Sequence, residues 1–441
     1  MPFLTRIMHR IVKNPKVAVC QLTVNHLKDE NSSKCHELIA QAKDSGCEMV
    51  FFPECSDYIG RSKDEALSLA EPVTSGAIKS FTEYAEKHKI WVSVGGFHNR
   101  KHDDVLPSNT HVIINSNGEI VSQYDKLHQF NIDIPGKVRL LEREFSSEGS
   151  KLIPPVETPI GRVGLAICYD LRFPELSIYN RISGADILTF PAAFTVPTGM
   201  AHWEVLLRAR AIENQCYVIA AAQYGKHNDN RSSYGHAMIV DPYGKVVAQC
   251  SDKEGLAIAE IDLDYQNQIR QNLDVFSHRR NDLYSIYYKE RLEVDAVSPA
   301  LFGAIEIPPS QIFYRSRLSF AFVNLKPILP GHVLISPTRV VERLSDLTTA
   351  ENSDLMNTVQ LVQKMLEKHY NNGGYTVSIQ DGVVAGQTIP HVHVHTIPRS
   401  ARDFGGETDK VYAVLDSNDR PSRTTEEMAA EAEVYRKIMY E

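Results

Sequence analysis

The sequence predicts two consecutive units of mixed α/β class: sheets with helices on their outer faces, then a small α+β unit. Three observations predict this. Strand-like apolar runs alternate with polar, helix-favouring stretches from about residue 17 to residue 261. Two hairpin turns interrupt the alternation, at Asn117-Gly118 and at Asp241-Pro-Tyr-Gly. Periodicity then fades between Tyr288 and Ser310, where Pro308-Pro309 punctuates the chain, and a different pattern follows. A length of 441 residues also exceeds one ordinary domain.

In the first unit Val17-Ala-Val-Cys-Gln reads as a buried strand, followed by helix to about Ser45. Met49-Val-Phe-Phe is a strand stopped by Pro53, which has no N–H for a ladder. Ser75 to His88 reads as helix and Trp91-Val-Ser-Val-Gly as strand. His111-Val-Ile-Ile and Glu119-Ile-Val-Ser-Gln-Tyr are the arms of the first hairpin. Val163-Gly-Leu-Ala-Ile-Cys is a strand, and Pro174 opens the next helix. Ile187-Leu-Thr-Phe (strand), Trp203 to Asn214 (helix) and Tyr217-Val-Ile-Ala-Ala-Ala (strand) continue the series. The second hairpin joins Ala237-Met-Ile-Val to Lys245-Val-Val-Ala, and Ala257-Ile-Ala-Glu-Ile closes the unit.

In the second unit Leu318-Ser-Phe-Ala-Phe-Val-Asn alternates as a strand does, Pro330-Gly331 turns, and His332-Val-Leu-Ile-Ser is a strand. Thr349 to Tyr370 is an amphipathic helix, with Leu355, Val359, Val362 and Leu366 on one stripe. Tyr375-Thr-Val-Ser-Ile-Gln and His391-Val-His-Val-His-Thr-Ile are strands. The expected boundaries are an extension over 1–14, the first domain over 15–287, a linker over 288–300 and the second domain over 301–441.

Composition excludes several classes. A net charge of −8 gives no basic footprint for a nucleic-acid polymer. No apolar run is long enough to span a bilayer. The seven cysteines lie between Cys20 and Cys250 without zinc-site or redox-motif spacing, which points to a reducing compartment, the cytoplasm. The first residues, with Arg6, Arg10 and Lys13 and no acid before Asp29, fit a plain basic extension better than a mitochondrial presequence, which stays as the second reading.

Glu54, Lys126 and Cys168 each fall at the C-terminal end of an expected strand, where open α/β sheets bind ligands. A thiol needs a base or a positive charge to act as thiolate. Glu54 would take its proton, Lys126 would stabilise an oxyanion, and the Tyr169 N–H would be a second oxyanion donor. Spacing alone does not decide this, because a cysteine at a strand end is most often simply buried and a lone lysine solvated. The stretches Phe52-Pro-Glu-Cys, Tyr124-Asp-Lys-Leu-His, Ile167-Cys-Tyr-Asp-Leu-Arg-Phe-Pro-Glu and Arg208-Ala-Arg-Ala-Ile-Glu-Asn resemble the signatures of the nitrilase superfamily, in its order, over roughly 15–285. The resemblance implies a nitrilase-type α-β-β-α sandwich. It implies Glu54 as base, Lys126 as oxyanion stabiliser, Cys168 as nucleophile, and Glu142 as the carboxylate that orients the lysine. It is nearest to the Nit branch, whose members hydrolyse small amides such as deaminated glutathione, with ω-amidase as the sister activity.

His391, His393 and His395 alternate, so on a strand they share one face. The bare pattern leaves a metal site and a nucleophilic histidine both open. The context Phe322-Val-Asn-Leu-Lys-Pro, Pro330-Gly-His-Val-Leu-Ile-Ser-Pro, Gln380-Asp-Gly and Ala385-Gly-Gln-Thr-Ile-Pro resembles the fragile-histidine-triad branch of the histidine-triad (HIT) superfamily, from about residue 300 onward. That resemblance implies cleavage of a dinucleoside polyphosphate through a nucleotidyl-His393. His395 would contact phosphoryl oxygens, and His391 and His332 would fix tautomers. Gln380, Gln387 and Thr388 are implied to contact phosphate, Asn324 to contact ribose, and Gly386 and Ile389 to line the nucleotide site. Ile305 stands where the branch often has a polar residue near substrate, and Tyr412 matches a tyrosine of a loop. No tightly bound cofactor and no protein metal site is expected, only a divalent cation, magnesium or manganese, accompanying the polyphosphate. The two halves in this order resemble the nitrilase–HIT fusions of invertebrates, which implies a homotetramer acting on two small-molecule substrates. A second reading makes the HIT half a dinucleotide-binding signalling module on a nitrilase platform.

Overall fold

The computed structural model describes residues 14–102, 105–135, 138–280, 283, 284, 286, 288, 298–416 and 420–440. The expected N-terminal extension and most of the expected linker lie outside the described residues. The chain divides into two compact units at Arg279/Arg280.

The first unit is built on two sheets. In one, strands Lys16–Leu22, Cys47–Phe52 and Trp91–Asn99 run parallel, followed antiparallel by Ser108–Ile114 and Ile120–Asp125. Lys16–Leu22 also pairs with Ala222–Lys226 and, antiparallel, with Gly255–Glu260. In the other sheet Gly161–Gly164, Ile187–Thr189 and Tyr217–Ala220 run parallel, flanked by Val156–Thr158 on one side and the Met238–Val240/Val246–Gln249 hairpin on the other.

Side-chain alternation sorts the layers. Ala18, Cys20, Leu22, Val50, Phe52, Val92 and Val94 form one cluster with Leu38, Ile39 and Ala42 of helix Lys28–Asp44 and Ile78, Phe81 and Ala85 of helix Gly76–His88. Their neighbours Val17, Val19, Met49 and Phe51 are equally buried on the opposite face. A sheet covered on both faces reads as a continuous apolar run, which is why these strands were legible. Ser93 and His111 cross the inner layer: the hydroxyl lies 2.7 Å from His111 Nε2, and Nδ1 donates to the Ala166 carbonyl at 3.1 Å. This is the expected α-β-β-α sandwich.

Several element boundaries differ from the expectation. The strand expected to end at Cys168 leaves its ladder at Gly164. Beyond it the backbone bonds to side chains instead, with the Ile167 N–H on the Asp170 carboxylate at 2.9 Å. The helix expected from Trp203 begins at Val196, with Pro197 in its first turn. Helices Lys63–Leu69 and Leu263–Asn272 were not foreseen.

The second unit has a five-stranded antiparallel sheet in the order Ile312–Arg315, Ser319–Val323, Val333–Pro337, Val394–Arg399, Gly374–Ser378. Helix Thr349–Tyr370 starts on a capping box between Thr348 and Glu351 and stops at left-handed Asn371. With helix Thr425–Tyr440 it covers one face, against Val333, Ile335 and Val394. On the other face the hairpin Ala300–Phe302/Ile305–Ile307 packs against Phe320, Phe322 and Leu334. The histidine run joins the ladder only at Val394, so His391 and His393 precede the strand rather than lie within it. Among the described residues, no helix is long and apolar enough to cross a membrane.

Candidate active sites

In the first unit Glu54 follows Pro53, Lys126 follows strand Ile120–Asp125, and Glu142 opens a turn after strand Val138–Leu141. Cys168 opens another turn with φ +47°, a left-handed conformation that costs a non-glycine residue energy and sets its side chain at a sharp bend. All four side chains are buried. The Lys126 ammonium donates to Glu54 Oε1 at 3.0 Å and to both Glu142 oxygens at 3.0 and 2.9 Å. Glu54 Oε2 accepts the Ala193 N–H at 3.0 Å, and the carboxylate interacts electrostatically with the neighbouring Cys168 thiol. Glu142 is fixed by the Phe130 N–H at 2.7 Å.

Charge states follow from these contacts. Burial pushes the Glu54 carboxyl up, but the Lys126 charge and the hydrogen bonds outweigh it and hold the group below its usual range. Burial disfavours the Lys126 ammonium, yet Glu142 and Glu54 keep its pKa well above the ordinary lysine value. Burial and the Glu54 charge push the Cys168 thiol well up, against the pull of Lys126. The resting site is therefore thiol, carboxylate and ammonium, with the base already facing the nucleophile's proton. The turn's first backbone bond runs from Asp170 N–H to Ile167 O, which leaves the Tyr169 N–H at a helix-like N-terminus as an available donor.

Residues that sequence reasoning passed over hold this geometry. The Asn109 side-chain amide donates to Glu54 Oε1 at 2.9 Å and to Glu142 Oε1 at 3.3 Å, while its backbone carbonyl takes the Lys126 backbone N–H at 2.9 Å. A β-carbon on Gly96 (φ +66°) would lie 2.6 Å from Asn109 Oδ1 and 3.0 Å from Glu54 Cγ, so only glycine fits. Asp170, fully buried, accepts from Tyr124 Oη at 2.7 Å, the His128 N–H at 3.1 Å and Ile167 N–H, tying the cysteine turn to the lysine strand. Tyr124, His128 and Asp170 stood inside the quoted motifs; Asn109 carried no signal in the sequence.

In the second unit His332, His391, His393 and His395 are all buried. The Ile328 N–H donates to His332 Nδ1 at 3.0 Å, so the proton of this ring sits on Nε2. His332 Nε2 then donates to His395 Nδ1 at 3.0 Å, which places the His395 proton on Nε2, a nitrogen with no protein partner. His393 donates from Nδ1 to the His391 carbonyl at 2.7 Å, leaving the Nε2 lone pair free. The His391 ring takes the Gly303 N–H at 2.9 Å. Phe302 of the hairpin meets the His393 ring edge-on at 5.0 Å. Burial lowers all four imidazoles, His391 to about 4 and His395 to about 3, with neighbouring rings and Arg420 adding to the effect at His332 and His395. Each is neutral at pH 7.

Of the remaining expected residues, Asn324 is brought against this row. Asn324 Nδ2 lies 3.1 Å from His332 Nε2. The Gln387 amide is bonded at both ends, to the Glu342 carbonyl at 3.0 Å and the Gly382 N–H at 2.6 Å. Gly386 (φ +85°) and Thr388 are exposed, and Gln380 and Ile389 are partly buried. Ile305 and Tyr412 are exposed, on the hairpin and on helix Lys410–Asp416. Among the described residues no cluster of three or more His, Cys, Asp or Glu side chains is placed to hold a metal ion.

Comparison with known proteins assigns a family to each unit. The carbon-nitrogen hydrolase family model matches residues 16–271 and the HIT domain model residues 306–402. The nitrilase and fragile histidine triad fusion protein NitFhit of Caenorhabditis elegans is 52% identical over 96% of this chain and 96% of its own length. This chain belongs to the NitFhit family. The NitFhit of Drosophila melanogaster is 44% identical over 96% of this chain and 92% of its own. The crystal structure of the C. elegans NitFhit protein superposes with a TM-score of 0.88 over 97% of this chain and 99% of that one, at 50% identity. The deaminated glutathione amidase of Mus musculus is 51% identical over 61% of this chain and 84% of its own length. As in the NitFhit family, then, a nitrilase-superfamily hydrolase of the amidase kind precedes a HIT domain.

Proposed function

We propose that the first unit hydrolyses a small amide of the deaminated-glutathione kind through a Cys168 thioester. The observation that carries this reading is the buried group of Glu54, Lys126, Glu142 and Cys168, in which the Lys126 ammonium donates to both carboxylates. Glu54 takes the thiol proton as sulfur attacks the amide carbon. Lys126 and the Tyr169 N–H hold the oxyanion, and the same proton then passes to the departing nitrogen. Water, deprotonated by Glu54, cleaves the thioester and restores the thiol.

For the second unit we propose cleavage of diadenosine triphosphate to AMP and ADP, carried by the free Nε2 of His393 beside the free Nε2–H of His395. His393 attacks the α-phosphorus and ADP leaves. His395 donates to a phosphoryl oxygen, and water hydrolyses the adenylyl-histidine. Gln380, Gln387 and Thr388 are assigned to the phosphates, Asn324 to the ribose, Gly386 and Ile389 to the nucleotide site, and magnesium or manganese accompanies the substrate. A homotetramer fits the exposed apolar side chains of helix Val196–Asn214, namely Met200, Val205 and Ile212. The cytoplasm suits seven cysteines that all stay reduced.

Single-turnover incubation with diadenosine triphosphate, followed by mass spectrometry, tests the second reaction: AMP attached to His393 is expected. Slow turnover with tight binding and no adduct would favour the signalling-module reading. Cys168→Ala is expected to abolish ammonia release from amides and to spare nucleotide cleavage, and His393→Ala the reverse. Loss of both reactions from one substitution in folded protein would refute two independent sites.

A further inference from the structure

The histidine site of the second unit is short of positive charge. Its four imidazoles are neutral at pH 7. The residues assigned to the phosphates, Gln380, Gln387 and Thr388, carry no charge either. Gln387 moreover has both ends of its amide bonded within the protein. A bridging triphosphate carries a negative charge on each phosphate, and neutral donors hold such a chain less strongly than charged ones do.

Arg420 stands beside this row without a counter-ion. It is partly buried, between helices Lys410–Asp416 and Thr425–Tyr440. Three residues on, Arg423 fixes the segment. Its N–H donates to the Leu325 carbonyl at 3.0 Å, and its guanidinium donates twice to the Asn324 carbonyl, at 3.0 and 2.5 Å, and pairs with Glu431 at 2.5 Å. Asn324 in turn lies 3.1 Å from His332 Nε2. The Arg420 guanidinium acts electrostatically on both His332 and His395. Its own contacts are few: Nη1 donates to the Val414 carbonyl at 2.5 Å. Among the described residues its buried Nε–H has no partner, and no carboxylate offsets the burial that pushes its pKa down. Arg339, Arg343, Arg399 and Arg423, by contrast, pair with Glu351, Asp381, Asp403 and Glu431. A guanidinium drawn partly out of water with donors unmet is costly unless an anion completes it.

We infer that Arg420 binds the phosphates beyond the α-phosphate, and so selects nucleotides linked through a polyphosphate over those whose α-phosphate bears an uncharged group. This rests on the nucleotide-cleavage reading above and adds the residue that sets leaving-group preference. As the bond from His393 Nε2 to the α-phosphorus forms, the bond from that phosphorus to the bridging oxygen breaks. The electron pair stays on the oxygen, which becomes terminal on the departing ADP. The Arg420 donors offset the charge gathering there. A leaving group without phosphate gives the guanidinium nothing to hold.

The test gives the full chain two substrates that share one α-phosphorus chemistry: diadenosine triphosphate and the p-nitrophenyl ester of AMP, both with excess magnesium. Arg420→Met is expected to lower the ratio of kcat/KM for the triphosphate to kcat/KM for the ester roughly 10- to 100-fold, the yield of a charge-assisted pair. Arg420→Lys keeps the charge without the planar fork and should recover part of the ratio. In chains that also carry His393→Ala, calorimetry should show Arg420→Met narrowing the affinity gap between ADP and AMP, a readout that needs no turnover. An unchanged ratio overturns the inference. So does an equal fall for both substrates, which would make Arg420 a support of the histidine row alone. Should Arg420→Met fail to fold, Arg420→Lys decides: the ratio must still fall, though less far, and an unchanged ratio again overturns the inference. An intact chain that cleaves neither substrate would instead sink the nucleotide-cleavage reading, while the ADP and AMP comparison still reads Arg420 by itself.

Discussion

At the scale of single residues, both sites depend on groups that never touch substrate. Asn109 holds two carboxylates with one amide nitrogen, so Asn109→Leu should free Glu54 and Glu142 to shift around Lys126. We expect kcat/KM for amides to fall about 10- to 100-fold, with nucleotide cleavage unchanged, in side-by-side steady-state assays. Gly96→Ala adds a β-carbon against Asn109 and Glu54 at a positive φ. It should cost about 1–3 kcal/mol from the backbone alone, read as a lower urea midpoint for the first unit. The candidate reacting residues were legible through the motifs around them, since a thiol, a carboxylate, an amine and a row of imidazoles left other readings open until the family resemblance was added. Asn109 was not, since a buried amide in a strand is indistinguishable in sequence from any polar strand residue. Phe302 was hidden for the same reason, its contact with His393 being set by a hairpin folding back.

At the scale of elements, strands buried on both faces were readable from continuous apolar runs, while their ends were not. The Cys168 strand stops early because Asp170 takes the backbone donor that a neighbouring strand would otherwise take, a long-range arrangement that periodicity does not encode. The histidine row likewise stands before its ladder. This neutral row gives the second unit a definite pH response. His391 and His395 have folded-state pKa values lowered to about 4 and about 3, and His332 and His393 are lowered too. As pH falls the unfolded chain takes up these protons first. The stabilisation is thus complete above about pH 6.5 and is lost on acidification through 4 and 3. Each ring contributes up to about 1.4 kcal/mol per pH unit in that window. Urea unfolding of the second unit at pH 7 and pH 5 should show a clear drop, and an unchanged midpoint would mean the rings are not desolvated as described.

At the scale of the whole molecule, each unit has its own core: helix-on-sheet packing around Phe52 and Phe81 in the first, and around Leu355 and Tyr435 in the second. The first also matches deaminated glutathione amidases over 84% of their length, proteins without the second unit's share of the chain. Residues 14–279 and 298–441 expressed separately are therefore expected to unfold cooperatively, each at its own temperature, by calorimetry. Aggregation of either fragment alone would show that it depends on the other. The two-unit organisation was legible because the pattern changed at a proline-punctuated stretch, and the order of motifs then fixed which fold came first.

The Lys126 ammonium is held between two carboxylates. An amine held protonated in this way has no lone pair, so it cannot condense with a ketone. Under the proposed amidase function, a substrate bearing a 2-oxo group would leave with that carbonyl intact. On that proposal the buried ion triad would act as a chemoselective guard, permitting sulfur to acylate while forbidding imine formation. Borohydride added during turnover of a 2-oxo amide should leave Lys126 unlabelled, whereas Glu142→Gln, which removes one of its two counter-charges, should begin to expose it to reductive trapping.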